Sequence, residues 1–143
     1  MTASVTIRPC RSNECANILS LCKDAEATPS ITDSTKELKR LVRENGDLFL
    51  VAEHDGQLVG TVIVGWDGCQ GNIHRLAVLP EYRRQGIGKA LIQEVEHHLS
   101  ARGARRITIL AEREHTVAIS FWDSLEDIGY ERDPRMVRYV KTR

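Results

Sequence analysis

The stretch Ile73-His74-Arg75-Leu76-Ala77-Val78-Leu79-Pro80-Glu81-Tyr82-Arg83-Arg84-Gln85-Gly86-Ile87-Gly88-Lys89-Ala90-Leu91-Ile92 decides how this chain is read. A strand from Asn72 to Leu79 is stopped by Pro80. A basic turn with two glycines follows. Ile87, Leu91, Val95 and Leu99 then recur at spacing four, which predicts an amphipathic helix from Ile87 to Ala101 with Gly103 just past its end. A helix start presents backbone N–H groups without internal partners and the positive end of the macrodipole. Gly86 and Gly88 let an anion approach the backbone closely. Arg83, Arg84 and Lys89 add positive side chains. Strand, basic turn and helix together make a phosphate cradle.

Two familiar cradles fail on spacing. A dinucleotide-binding fingerprint needs a third glycine where Leu91 stands. A P-loop needs an earlier glycine and a Ser or Thr after its lysine, but residues 81–84 contain no glycine and Ala90 follows Lys89.

Outward from this stretch, the rest of the chain alternates between helix and strand patterns. Val5, Ile7 and Pro9 read as a short strand. Cys15, Ile18, Leu19, Cys22 and Ala25 fit a helix from Ser12 to Ala27 with Ser12 as its cap. Ser34-Thr35-Lys36-Glu37 matches a capping box and opens a second helix through Leu38, Leu41 and Val42. Leu48 to Glu53 and Gln57 to Val64 flank the turn dipeptide Asp55-Gly56, a hairpin. Gly65 to Gly71 reads as a polar loop. After the long helix, Ile107 to Leu110 is a strand and Val117 to Ile128 a helix. Val137, Tyr139 and Val140 predict one or two final strands. The order β-α-α-β-β-β-α-β-α-β(-β) is mixed α/β, in a single domain over residues 1–143.

Composition excludes several classes. Lys+Arg and Asp+Glu are 20 each in 143 residues, so the net charge is zero. That disfavours a nonspecific nucleic-acid binder. The balance is uneven, though: from Asn72 to Ala90, Arg75, Arg83, Arg84 and Lys89 face Glu81 alone. No apolar run reaches the about 18–20 residues of a membrane span. The start, Met1 to Arg8, has no basic-then-apolar leader. Cys10, Cys15, Cys22 and Cys69 form no C-x2-C pair, so a metal site is not expected. They read as reduced core thiols in a cytoplasmic protein.

Arg83-Arg84-Gln85-Gly86-Ile87-Gly88 resembles the Gln/Arg-x-x-Gly-x-Gly/Ala signature of the GCN5-related N-acetyltransferase (GNAT) superfamily. The lead-in Leu76-Ala77-Val78-x-Pro80-Glu81-Tyr82 and the element order resemble that family over nearly the full chain. The resemblance implies that backbone N–H groups from Arg84 to Lys89, including those of Gln85, Gly86, Ile87 and Gly88, hold the pyrophosphate of acetyl-coenzyme A. It implies that Leu76, Ala77 and Val78 pair with the pantetheine, and that the Val78 N–H stabilises the oxyanion. It also implies that this strand splays from the one at Ile107 to Leu110.

Acetyl transfer to an amine needs a base to free the amine of its proton, and the leaving thiolate gains one. Asn72, His74, Leu76 and Val78 are expected to alternate onto one face. Many family members put a glutamate near Asn72, which asparagine cannot replace as a base. His74, with an ordinary pKa near ~6.5, is the candidate. A water chain through backbone carbonyls competes with it. The family's acid is commonly a tyrosine in Asn-x-x-Ala-x-x-Phe-Tyr. Here the run is His115-Thr116-Val117-Ala118-Ile119-Ser120-Phe121-Trp122, and an indole cannot protonate a thiolate. Tyr130 is the acid candidate, with Tyr139, Ser120 or water as alternatives. His115 stands where the family's asparagine contacts coenzyme A, and Trp122 packs on the pantetheine or in the core.

By the same resemblance, residues near Ala25 to Thr35 and near Glu131 to Arg138 build the acceptor pocket. Asp24, Glu26 and Asp33 would favour a cationic amine. The expected activity is acetyl transfer to a primary amine, a small molecule before a protein N-terminus or lysine, by a monomer or homodimer. The alternative is a non-catalytic coenzyme A-binding module.

Overall fold

Asp55 and Gly56 both take left-handed backbone angles, φ +48° and +79°. That pair of angles makes the tight turn whose twist suits a two-residue hairpin. It joins β2 (Phe49–His54) to β3 (Gln57–Trp66), the middle of a five-stranded sheet. The structure, a computed structural model, describes residues 4–30 and 33–143. They divide into two compact units, one running to Leu110 and the other Ala111–Arg143. Of the acceptor segment expected at Ala25 to Thr35, Ile31 and Thr32 lie outside the described residues, as do Met1 to Ala3 of the N-terminal stretch.

In the first unit the sheet order is β1-β2-β3-β4-β5, with β1 (Thr6–Pro9), β4 (Gln70–Val78) and β5 (Arg106–Ile109). Neighbours are antiparallel except β4 and β5, which run parallel. A parallel pair needs a crossover, and α3 (Ile87–Ala101) supplies it. Helices α1 (Cys15–Asp24) and α2 (Thr35–Glu44) lie between β1 and β2 in sequence. Phe49, Leu50, Val51 and Ala52 are all buried, as a strand covered on both faces should be.

The α3 stripe behaves as its period predicts. Ile87, Leu91, Val95 and Leu99 are all at most 2% exposed. Each stabilises the fold by about 1.5–3 kcal/mol through apolar burial. Gly71 lies under this helix, where a Cβ would approach Leu99 Cδ1 to 2.7 Å. The α2 capping box is half realised: the Ser34 side chain accepts from the Glu37 N–H at 3.1 Å.

Three expectations change. Ser12 is not a helix cap but the first residue of a short 3-10 turn, Ser12–Glu14, and α1 begins after it. The Glu14 carboxylate holds that turn by accepting from the Arg11 N–H and from the Arg8 guanidinium. The polar loop shrinks to residues 67–69, since Gly65, Trp66, Gln70 and Gly71 lie in strands. Among the described residues, no strand follows β5: residues 130–143 form none, and Val137, Tyr139 and Val140 stand exposed. Alternation alone does not make a strand, which also needs backbone pairing with a neighbour.

Cys10, Cys15 and Cys22 are buried, while Cys69 is exposed rather than in the core. Burial pushes the Cys10 and Cys22 thiols up to about 12 and about 11, and raises that of Cys15. Among the described residues no group of three or more His, Cys, Asp or Glu could hold a metal, and no helix is long and apolar enough to cross a membrane.

Candidate active site

β4 pairs with β3 along its length but with β5 only from Gln70 to Ile73, opposite Arg106 to Ile109. From His74 to Val78 the strand has β3 on one side and, among the described residues, no strand on the other. β4 and β5 therefore part at Ile73 and Ile109. The Leu79 N–H donates to the Val59 carbonyl at 2.9 Å. In an antiparallel pair, bonded and unbonded positions alternate, so the polar groups of Leu76 and Val78 point away from β3 into the opening. The Val78 carbonyl accepts from Arg83 Nε at 3.2 Å, which leaves the Val78 N–H directed at the opening.

The opening leads to the start of α3. Arg84 and Gly86 both lie in the left-handed region, φ +61° and +82°. Two such residues around Gln85 fold the loop into a concave turn of the kind that binds anions. A left-handed arginine costs about 1–2 kcal/mol, a strain typical of a ligand-binding turn. A Cβ on Gly86 would meet nothing within 4 Å, so the space before the helix is open. The N–H groups of Ile87, Gly88 and Lys89 lie in the first turn, where a helix offers no internal carbonyl. Arg84 is exposed beside them and Lys89 half-buried. Gln85 donates through Nε2 to the Glu81 carbonyl at 3.4 Å.

Arg83 has another task. Its Nη2 donates to the Ala25 carbonyl at 2.7 Å and its Nε to Val78. The guanidinium ties the end of α1 to the end of β4, so Arg83 helps to shape the cradle.

Sequence periodicity misses a β-bulge. Ile63 pairs with Arg75 and Val64 with Ile73, so His74 is the extra residue of β4. A bulge places two consecutive side chains on one face. Gly60, opposite Val78, faces α3, because a Cβ there would touch Leu91 and Ile87. Leu76 and Val78 therefore face α3, while His74, Arg75 and Ala77 face the opposite way, toward α1 and the start of α2. The expected common face of Asn72, His74, Leu76 and Val78 is corrected accordingly: only Asn72 and His74 share it.

His74 lies across Gly65 of β3, where a Cβ would stand 2.4 Å from Nε2. Partial desolvation of the ring lowers its pKa, although one side stays exposed. The imidazole is thus neutral near pH 7, the form that can accept a proton. Asn72 is occupied: its Oδ1 accepts from the Thr108 hydroxyl at 2.6 Å. Arg75 is buried and donates through Nη2 to Asp33 Oδ1. Asp33 Oδ2 accepts from the Ser30 N–H at 2.9 Å. Both oxygens of Asp33 are engaged, which corrects its reading as a free charge for a cationic amine. Neither Arg75 as its partner nor the bulge had a local sequence signal.

The second unit holds α4 (Thr116–Asp123). His115 caps it, its Nδ1 accepting from the Ala118 N–H at 3.1 Å. The neutral ring then carries its proton on Nε2. Trp122 stands between Phe121 and Tyr130, ring centroids 5.2 and 5.3 Å away. The Tyr130 ring is half-buried there.

Known proteins resemble this chain in sequence and in fold. The model of the Acetyltransferase (GNAT) family matches residues 13–126. Acetyltransferase SG1711 of Sodalis glossinidius (strain morsitans) is 33% identical over 120 residues, 84% of each chain. The PaiA N-acetyltransferase of Thermoplasma acidophilum, solved in complex with coenzyme A, superposes with TM-score 0.75 at 22% identity, over 85% of this chain and 87% of that one. The aminoglycoside enzyme AAC(6')-Iy, solved with the bisubstrate analog CoA-S-monomethyl-acetylneamine, superposes with TM-score 0.73 at 18% identity, over 98% and 99%.

Proposed function

The chain belongs to the GNAT acetyltransferase family, and from that premise we propose that it moves the acetyl group of acetyl-coenzyme A to a primary amine. The observation that carries this reading is the unpaired edge of β4 from His74 to Val78, which opens onto the start of α3. An extended amide-bearing arm fits such an edge as an added strand. A pyrophosphate at its far end fits the N–H groups of residues 86–89 and the turn at Arg84 and Gly86. The family match runs through the boundary at Leu110, so we read residues 1–143 as one acetyltransferase domain.

His74 takes the proton from the incoming ammonium, directly or through one water. The freed nitrogen attacks the thioester carbonyl, and the Val78 N–H donates to the oxygen that gains charge. The C–N bond forms, the C–S bond breaks, the nitrogen releases its second proton to solvent as the amide forms, and the thiolate leaves with the bonding pair. Tyr130 is the proposed donor of its proton. His115 and Trp122 remain proposed coenzyme A contacts, alongside their parts in the cap and the aromatic stack. A cytoplasmic setting goes with this reading, since an exposed thiol such as Cys69 stays reduced there.

A small amine is the first acceptor class to test. An engaged Asp33 takes away one cation-attracting group, so the pocket would select by shape as much as by charge. Calorimetry with acetyl-coenzyme A, followed by a thiol-release screen over polyamines, amino acids, aminoglycosides and peptides, tests the reading. Binding with turnover of an amine supports it. Binding without turnover of any amine supports a coenzyme A-binding module, and no binding at millimolar ligand overturns both.

A further inference from the structure

The best-buried charge among the described residues takes no part in the proton and acyl steps. Arg75 is 6% exposed, and its partner is Asp33, just ahead of α2. Asp33 is itself doubly held by Ser30: Oδ2 accepts from the Ser30 N–H at 2.9 Å, and the Asp33 N–H donates to the Ser30 carbonyl at 3.1 Å. The charges of both Arg75 and Asp33 reach the buried Cys22 thiol, so the pair also sits near α1. The Arg75 side chain is 5% exposed and that of Asp33 31%, so the guanidinium alone is buried, and its desolvation costs much of what the attraction returns. A pair with one buried and one exposed partner is better understood by what it holds in place.

What it holds is set by the bulge. His74 and Arg75 are consecutive yet share one face of β4. An amine that gives its proton to His74 must approach that face. We propose that Arg75 and Asp33 form a positioning clasp, which fixes the backbone at Ser30 and Asp33 beside the His74 face and so sets affinity for the acceptor. The clasp rests on the reading of His74 as the base. Neither residue touches the reacting atoms. Asp33 anchors a wall of the acceptor site through its backbone partner, and Arg75 anchors Asp33.

The experiment uses the full chain and the amine turned over fastest in the thiol-release screen. Asp33→Asn is expected to raise the KM for that amine tenfold or more, with kcat within threefold and the coenzyme A Kd within twofold of wild type. Arg75→Lys, which keeps the charge, recovers part of the affinity lost in Arg75→Met. The double variant Arg75→Met/Asp33→Asn leaves no unpaired buried charge, so it melts near wild type yet keeps the raised KM. A wild-type amine KM in that double variant overturns the clasp. Amide exchange supplies a readout independent of turnover: the Ser30 and Asp33 N–H groups should exchange at least tenfold faster in Arg75→Met. Unchanged exchange overturns the clasp even if no amine is turned over. Failure of the wild type to bind coenzyme A overturns the acetyltransferase reading instead.

Discussion

A Cβ placed on Gly65 would stand 2.4 Å from His74 Nε2, so the imidazole of β4 rests across β3 in space that only a glycine leaves. The ring is thereby held at a defined height over the sheet. It is also partly desolvated there, which favours the neutral base.

Gly65→Ala therefore moves the base without emptying the core. The displaced atom is the far end of a side chain that can swing toward solvent, so the melting temperature should stay within a few degrees. Amine turnover should fall about tenfold, with coenzyme A affinity unchanged in calorimetry. A variant with wild-type kcat would show that the ring position is immaterial.

His74 also predicts a pH profile. Its pKa is lowered by burial, so kcat/KM should rise with pH through a midpoint below the ordinary ~6.5. His74→Gln should abolish that limb and lower the plateau by about 10²–10⁴-fold. The sign for stability is the same. The folded state binds its proton less readily than the unfolded state, so this group's contribution is full above ~6.5 and is lost as pH falls through the folded value.

Gly86 tests the cradle. Its φ of +82° strains any other residue, while nothing within 4 Å would clash with a Cβ. Gly86→Ala should cost about 1–2 kcal/mol by backbone strain alone. Gly86→Asp adds a negative charge where a pyrophosphate would lie, and should weaken coenzyme A binding far more than Gly86→Ala does. Equal affinities for the two variants in calorimetry would count against a phosphate at this turn.

The Arg8 guanidinium holds the Glu14 carboxyl down at about 2. Arg8 also reaches Glu53 of β2, at 3.1 Å, so it links β1, the turn before α1 and β2. Stability from Glu14 is fully present above its unfolded value near ~4.3 and is lost as pH falls toward about 2. Glu14→Gln should flatten denaturant-derived stability across that window and cost about 1–2 kcal/mol at neutral pH, the pair being partly screened at the rim of the core.

The parts legible in the sequence are those fixed by local periodicity or by a single backbone requirement. The α3 stripe of Ile87, Leu91, Val95 and Leu99, the Asp55-Gly56 turn and the Gly86 cradle are of this kind. The bulge at His74 is not, because it arises from register between two strands that no count along one of them reveals. The Arg75–Asp33 pair joins residues 42 apart, and either alone reads as an ordinary surface charge. Arg83 is a different case. A basic residue in a phosphate loop invites an electrostatic role, and nothing local signals that its guanidinium also bonds the carbonyls of Ala25 and Val78. The Val137 to Val140 alternation has the right period but, among the described residues, forms no strand.

The four thiols bear on how turnover can be followed. Cys10, Cys15 and Cys22 are sequestered and poorly ionised, whereas Cys69 sits at the surface. Aromatic disulfide reagents, the usual detectors of liberated coenzyme A, attack thiolates that they can reach. The folded chain should consume one equivalent of such a reagent and the unfolded chain four. Labelling stoichiometry then doubles as a foldedness check on every variant, and Cys69→Ser gives a background free of protein signal.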